Sequence, residues 1–115
     1  MATIKVGVPS EGDTLDSPVA DRFGRAPKFI VVEVDTDTGE IVSYQAVDNP
    51  GYTAGSGAGV KAAQKLGELG VKVYAGPTPG PNAYAALNYL GIKVVTVTGV
   101  SVREAVKAAL KELGS

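Results

Sequence analysis

The sequence predicts one α/β domain, in which a mixed five-stranded sheet carries helices on both faces. Three observations support this fold class. The 115 residues suffice for one domain with a modest core. A β-hairpin pattern occupies part of the first half of the chain. In the second half, apolar runs typical of buried strands alternate with stretches of helical spacing, and such strand–helix–strand units imply parallel strands with right-handed connections.

The first half of the chain is predicted to contain three strands and one long irregular segment. The strands are TIKVGV, KFIVVEVD and EIVSYQAV, at residues 3–8, 28–35 and 40–47. The second and third strands form the hairpin, because TDTG at 36–39 is a turn signal. Residues 9–27 show no sustained period and include three prolines. A structureless segment of that length is usually functional or disordered.

The second half of the chain is predicted to alternate helices with strands. In chain order, the elements are a helix at 58–70, a strand at 71–75, a helix at 81–91, a strand at 92–98 and a helix at 101–114. Gly70 and Gly91 end the first two helices, and Pro81 suits a first helical turn. Ser101 and Glu104 have the spacing of a capping box. We expect the strand order 3-2-1-4-5, with strand 2 antiparallel.

This topology predicts that one edge of the sheet holds the functional loops. Strands 1, 3, 4 and 5 would point the same way and would end at that edge, where open α/β sheets usually bind ligands. The loops expected to converge there are 9–27, 48–57, 76–80 and 99–100. Helix N-termini open at the same edge, and their unpaired N–H groups favour anions.

Glycines and basic residues at this edge favour a pocket for a compact anion. Two helix N-termini follow glycine-rich turns, at 55–59 and 80–82, and the first loop adds Arg22, Arg25 and Lys28. Turn glycines beside a solvated basic rim would give the same pattern, so both interpretations stay open at the level of the sequence.

Composition and motifs argue against most enzymes and against several partner classes. The chain has no histidine and no cysteine, which excludes disulfides, thiolate nucleophiles, imidazole bases and the usual protein-ligated zinc or iron–sulfur sites. No Walker A string occurs, and the strand after GSGAG ends in VYAG, without the acidic residue of a dinucleotide site.

The net charge of −1 argues against a nucleic-acid partner, and no apolar run is long enough for a membrane span. Without an apolar leader, we expect a cytoplasmic protein.

Four strings, in order, resemble the dinitrogenase iron–molybdenum cofactor-binding family. They are LDSPVADRFGRAPKFIVVEVD, NP followed by GAG, GPNAYAAL, and TG followed by SVREAV. The resemblance runs from about residue 3 to 113, and FGRAP and GPNA are its most specific parts. It implies a three-layer α/β/α fold with the ribonuclease H-like motif, as one domain over residues 1–115. It also implies a cytoplasmic, non-enzymatic carrier of an anionic molybdenum- or iron-containing sulfide cluster, or a related oxyanion, with other cofactor-assembly proteins as partners.

The resemblance also implies the contacts of the cluster. By position they are Phe23, Gly24 and Arg25 in the first loop, Gly57, Ala58 and Gly59 at the first helix, and Gly80, Pro81 and Asn82 at the second. Many members carry histidine directly before FG, where this chain has Arg22, and in the loop after NP, where it has residues 51–53. Arg22 keeps a positive charge and joins the predicted cofactor-binding residues.

A cluster bound here would have to be held without protein metal ligands, by charge, backbone N–H groups and shape, because the chain has neither histidine nor cysteine. The first alternative hypothesis is a protein-interaction or regulatory module that has lost cluster binding. The second is an enzyme that acts on phosphorylated small molecules, and it ranks last because the sequence shows no nucleophile–base pair.

Overall fold

Five strands form one mixed sheet in the computed structural model, which describes residues 2–114. The elements are β1 (Thr3–Ser10), β2 (Lys28–Asp35), β3 (Ile41–Asp48), α1 (Ala58–Glu68), β4 (Val73–Gly76), α2 (Pro81–Tyr89), β5 (Lys93–Thr96) and α3 (Val102–Leu113). The strand order is β3-β2-β1-β4-β5. β2 is antiparallel to both of its neighbours, whereas β4 is parallel to β1 and β5. The predicted order and strand directions are therefore confirmed.

Several element ends differ from the prediction because tertiary pairing decides them. β1 continues to Ser10, since it pairs with β2 along its whole length. α1 ends at Glu68, before the predicted end, and Gly70 then takes a φ of +79°, which side chains rarely adopt. The N–H of Val71 still bonds to the carbonyl oxygen of Leu66 in the helix, and β4 begins at Val73 rather than at 71. β5 is likewise shorter than the predicted strand at 92–98.

The sheet separates two hydrophobic cores and so produces three layers. On one face, Val106 of α3 is buried with Val32 of β2. On the other face, Leu66 of α1 and Leu87 of α2 are buried with Tyr74 of β4. The predicted α/β/α layering is therefore observed. Within residues 2–114, no helix combines the length and the apolar character that a membrane crossing requires.

One edge of the sheet collects the strand ends that support the candidate site. Ser10 pairs with Lys28, which pairs in turn with Asp48, so β1 and β3 end where β2 begins. Gly76 and Thr96, the last residues of the parallel strands β4 and β5, are paired with each other and end at the same edge. The loops that the sequence predicts to converge do leave the sheet at this edge.

Candidate functional site

A cleft of about 380 Å³ opens where the first loop meets the N-termini of α1 and α2. Its lining comes from three segments: Asp21, Arg22, Phe23, Gly24, Arg25, Ala58, Gly59, Thr78, Gly80, Pro81, Asn82 and Ala83. Of the predicted cofactor-binding residues, only Gly57 is outside this lining, and it directly precedes α1 as its N-cap residue. The structure thus brings the predicted residues together, and their binding role stays a prediction.

The N-termini of α1 and α2 have no side-chain caps among the described residues. Their N-cap residues are Gly57 and Gly80, and within the described residues neither helix has a side-chain hydrogen bond at its N-cap or an acidic residue in its first turn. The first N–H groups of an α-helix have no partner inside the helix. The N–H groups of Ala58, Gly59 and Asn82 are therefore available to a ligand in the cleft.

The third helix begins in the opposite way. The hydroxyl of Ser101 accepts a hydrogen bond from the backbone N–H of Glu104 over 3.2 Å, and the Glu104 carboxylate accepts one from the N–H of Ser101, also over 3.2 Å. The predicted capping box is confirmed. Because a carboxylate already occupies this helix end, the N-terminus of α3 does not suit an anion.

The two arginines of the first loop have different environments. Arg25 donates through Nη1 to the carbonyl oxygen of Gly51 over 3.3 Å and to that of Ala54, so its guanidinium ties the first loop to the loop before α1. Arg22 is exposed at the cleft and has no hydrogen bond or ion pair to any residue in the described part of the chain. Of the two arginines, Arg22 is thus the one whose whole guanidinium is available to a ligand, whereas Arg25 already uses Nη1.

Lys28 does not contribute to the cleft, so its predicted place among the pocket cations is wrong. Its Nζ donates to the carboxylate of Asp48 across the β2–β3 pair. This hydrogen bond and the attraction of the two charges raise the pKa of Lys28 and lower the pKa of Asp48. The ammonium group is paired at the sheet edge because the strand register places these residues opposite each other.

The side chain of Phe23 belongs to the core. It is 3% exposed, and its ring lies 5.5 Å from that of Phe29 and 4.9 Å from that of Tyr74, measured between centroids. The Tyr74 hydroxyl donates to the carbonyl oxygen of Pro77 over 2.6 Å, and burial raises the pKa of Tyr74. These contacts anchor both the first loop and the loop before α2 to the sheet.

Glycines allow the backbones around the cleft to touch. A Cβ atom on Gly51 would lie 2.3 Å from the carbonyl oxygen of Gly24, and one on Gly59 would lie 2.8 Å from the Cβ of Ala83. Gly55 and Gly80 differ, because no atom lies within 4 Å of a Cβ placed on either. Some of these glycines therefore serve close packing of the loops, whereas others border open space.

Sequence reasoning missed Asn49 as a residue that organises the site. Its side chain is 3% exposed, and its Nδ2 donates to the carbonyl oxygens of Ala26 and Phe23 over 2.9 and 3.2 Å. Its Oδ1 accepts from the N–H of Gly51 over 2.9 Å. The available signal was an asparagine before proline at a strand end, which indicates a turn. That signal does not reveal burial or the distant carbonyl partners.

The donor set of the cleft does not fit a bare metal ion. The chain has no histidine or cysteine, and residues 2–114 contain no group of three or more acidic side chains that could hold a metal. Besides the single carboxylate of Asp21, the cleft offers N–H groups and the guanidinium groups of Arg22 and Arg25, which bind electron-rich ligand atoms rather than metals. This arrangement fits an anion whose metal already carries its own ligands.

Comparisons with known proteins agree with the fold. The family model described as dinitrogenase iron-molybdenum cofactor matches residues 3–112. Among solved structures, the chain is similar to the apo form of the orange protein from Desulfovibrio gigas, with 40% identity, 94% of this chain and 88% of that chain covered, and a TM-score of 0.80. It is also similar to a NifB-like protein of the DUF35 family from Thermotoga, with 37% identity, 91% and 85% covered, and a TM-score of 0.73. Among curated protein sequences, none matches the chain.

Proposed function

Because the chain belongs to the dinitrogenase iron-molybdenum cofactor family, we propose that it is a non-enzymatic carrier that holds an anionic metal–sulfur cluster or a related oxyanion in this cleft. The observation that carries the proposal is that two uncapped helix N-termini, those of α1 and α2, open into one cleft beside the available guanidinium of Arg22. The proposed carrier is one domain over residues 1–115. It is cytoplasmic and exchanges its cargo with other cofactor-assembly proteins.

The helix ends supply the attraction for the cargo. A helix N-terminus carries about half a positive charge, and an anion placed there is stabilised by about 0.3–1 kcal/mol, or up to about 2 kcal/mol where the site is partly buried. Two such termini and Arg22 act on the same ligand, so their effects add in one place. Their N–H donors match the sulfide or oxo ligands of an anion and require no imidazole or thiolate.

The size of the cleft favours a cargo larger than a single water-sized group. Its volume of about 380 Å³ falls within the range of roughly 300–1,000 Å³ that is usual for small-molecule sites. The starts of α1 and α2 contribute small residues to the lining, Ala58, Gly59, Gly80 and Ala83, and these leave room for bulky sulfur ligands. We therefore expect a thiometallate to bind more tightly than a small, strongly hydrated oxyanion such as phosphate.

An anion titration followed by amide NMR tests this function. Tetrathiomolybdate, with and without copper, molybdate and phosphate would each be added to the protein. We expect shifts concentrated at residues 22–25, 57–60 and 80–83, with tetrathiomolybdate binding most tightly. The capped N-terminus of α3, at 101–104, is the internal control and should not respond. Unchanged cleft amides with every anion, or equal shifts at α3, would overturn the carrier function.

One observation favours the alternative of a protein-interaction module. β3 is an edge strand with a single neighbour, and Val42 and Tyr44 on it are 51% and 44% exposed. Asp48, at the end of β3, is its only charged residue, and an exposed edge with so little charge is a template for pairing with a strand of another protein. Under this alternative no anion shifts the cleft amides, and a partner shifts the amides of β3 instead.

A further inference from the structure

We propose that Asn49 is a positioning residue of the anion cleft. Its buried amide holds the carbonyl groups of the first loop toward itself, and the N–H groups of Gly24 and Arg25 thereby point toward the ligand. This inference rests on the proposed function, and it adds a third set of donors to those of α1 and α2. Asn49 itself does not line the cleft and acts only through the loop.

Both polar atoms of the Asn49 side chain form hydrogen bonds to backbone groups. Nδ2 donates to the carbonyl oxygens of Ala26 and Phe23 over 2.9 and 3.2 Å, and it lies 3.5 Å from that of Gly24. Oδ1 accepts from the N–H of Gly51 over 2.9 Å. One buried amide therefore joins the first loop to the loop before α1, and leaving its donors unsatisfied would be costly.

The geometry of the peptide bond links the hydrogen bonds of Asn49 to the direction of the N–H groups in the first loop. In a trans peptide the C=O and the following N–H point in opposite directions. The carbonyls of Phe23 and Gly24 point toward Asn49, so the N–H groups of Gly24 and Arg25 point away from it. Neither N–H has a hydrogen-bond partner among the residues that the structure describes. Both residues line the cleft.

A second contact keeps the loop in this orientation. The carbonyl oxygen of Gly24 lies against Gly51, at 2.3 Å from the position of a Cβ there. Glycine at position 51 therefore makes room for this oxygen, and a side chain there would push the peptide between Gly24 and Arg25 out of its orientation. Successive N–H groups that point the same way form a concave anion-binding nest. The first loop thus supplies backbone donors as well as the side chain of Arg22.

The test compares the wild-type protein with Asn49→Asp. The aspartate is nearly isosteric and keeps an oxygen for the N–H of Gly51, but its carboxylate cannot donate to the carbonyls of the first loop. In the wild type, tetrathiomolybdate should shift the amides of Gly24 and Arg25 together with those of Gly59 and Asn82. In Asn49→Asp, we expect the first pair of shifts to disappear, the second pair to persist, and the affinity to fall about tenfold.

The control is Val106→Ala, which truncates the core on the opposite face of the sheet, a core that includes none of Phe23, Ala26 or Asn49. Val106→Ala should lower the stability of the protein and affect both pairs of shifts alike. If Asn49 had only a structural role, Asn49→Asp would have the same effect. A folded Asn49→Asp protein that keeps all four shifts overturns the inference.

The wild-type titration also decides the matter by itself if Asn49→Asp does not fold. Shifts at Gly59 and Asn82 without shifts at Gly24 and Arg25 would overturn the role of Asn49 and leave the carrier function standing. Absence of all four shifts would overturn the carrier function and this inference with it.

Discussion

Gly24 lies so close to Gly59 that a Cβ atom added to Gly24 would be 3.0 Å from the backbone nitrogen of Gly59. The first loop and the start of α1 thus meet through their backbones, without side chains between them. Because Gly59 is in the first turn of α1, this contact places the loop beside a helix N–H that has no partner inside the helix. The shape of the cleft therefore depends on glycine at positions where backbones touch.

Replacement of Gly51 by alanine should disrupt this arrangement. The new Cβ would lie 2.3 Å from the carbonyl oxygen of Gly24 and 2.6 Å from that of Ala58, and both are backbone atoms that cannot rotate away. We expect the free energy of unfolding to fall by about 1–3 kcal/mol, as for overpacked cores, in urea denaturation followed by circular dichroism. Gly55→Ala is the matched control, because its Cβ meets no atom within 4 Å. Equal stability of the two variants would contradict the packing described above.

Much of the fold could be predicted from the sequence because its signals are local. Runs such as KFIVVEVD mark strands, glycine and proline mark their ends, and the handedness of the crossovers then limits the topology. The strand order was predicted correctly for this reason. The end of β1 at Ser10 was not predicted, because pairing with Lys28 extends the strand and no local pattern in the sequence indicates that pairing.

The candidate site was only partly predictable, because its polar contacts join distant parts of the chain. Topology brings the loops of Gly24, Gly59 and Gly80 to one edge, and that much follows from strand order. The roles of the cations do not follow from it. Arg25 bonds to carbonyls 26 and 29 residues away, and Lys28 bonds to a carboxylate 20 residues away. No short pattern in the sequence distinguishes these engaged side chains from the available one of Arg22.

Arg22 and Arg25 should therefore behave differently when they are replaced by alanine. Arg22→Ala should weaken tetrathiomolybdate binding about five- to tenfold and change stability by less than about 0.5 kcal/mol, since it has no partner among the described residues. Arg25→Ala should lower the free energy of unfolding by about 1 kcal/mol, because two carbonyls lose their donor. Calorimetric titration and urea denaturation measure the two effects.

A charge-preserving control accompanies these variants. Arg22→Lys should retain most of the affinity, and the difference between Arg22→Ala and the wild type should shrink as salt is added, because the charge is exposed. If Arg22→Ala bound as tightly as the wild type at low salt, the guanidinium would have no part in the site.

Tyr74 should make the protein sensitive to alkali. Burial raises the pKa of its phenol above the ordinary value of 10.0, so the folded state keeps the proton that the unfolded chain releases. Its contribution to stability is fully present below pH 10 and falls as the pH rises further, by up to about 1.4 kcal/mol per pH unit. Urea denaturation from about pH 8 to about pH 11 should show a steeper loss for the wild type than for Tyr74→Phe.

The phenylalanine variant isolates the phenol, because all other groups that titrate in this range are common to both proteins. At neutral pH it should be less stable by about 0.5–1.5 kcal/mol, since the hydrogen bond to Pro77 is lost. Parallel pH profiles for the two proteins would show that ionisation of Tyr74 is not linked to unfolding.

A cap at Gly80 should stabilise the protein and impair its binding at once. Gly80 has φ −64° and ψ 169°, close to the −77° and 164° of the capping residue Ser101, so an aspartate there can accept from the free N–H groups of α2. We expect Gly80→Asp to raise the free energy of unfolding by about 0.5–1 kcal/mol, measured in urea. It should lower tetrathiomolybdate affinity more than tenfold, because its carboxylate repels the anion. Gly80→Asn caps without charge and should give a similar stability with a smaller loss of binding. If Gly80→Asp binds like the wild type, the N-terminus of α2 does not contact the cargo.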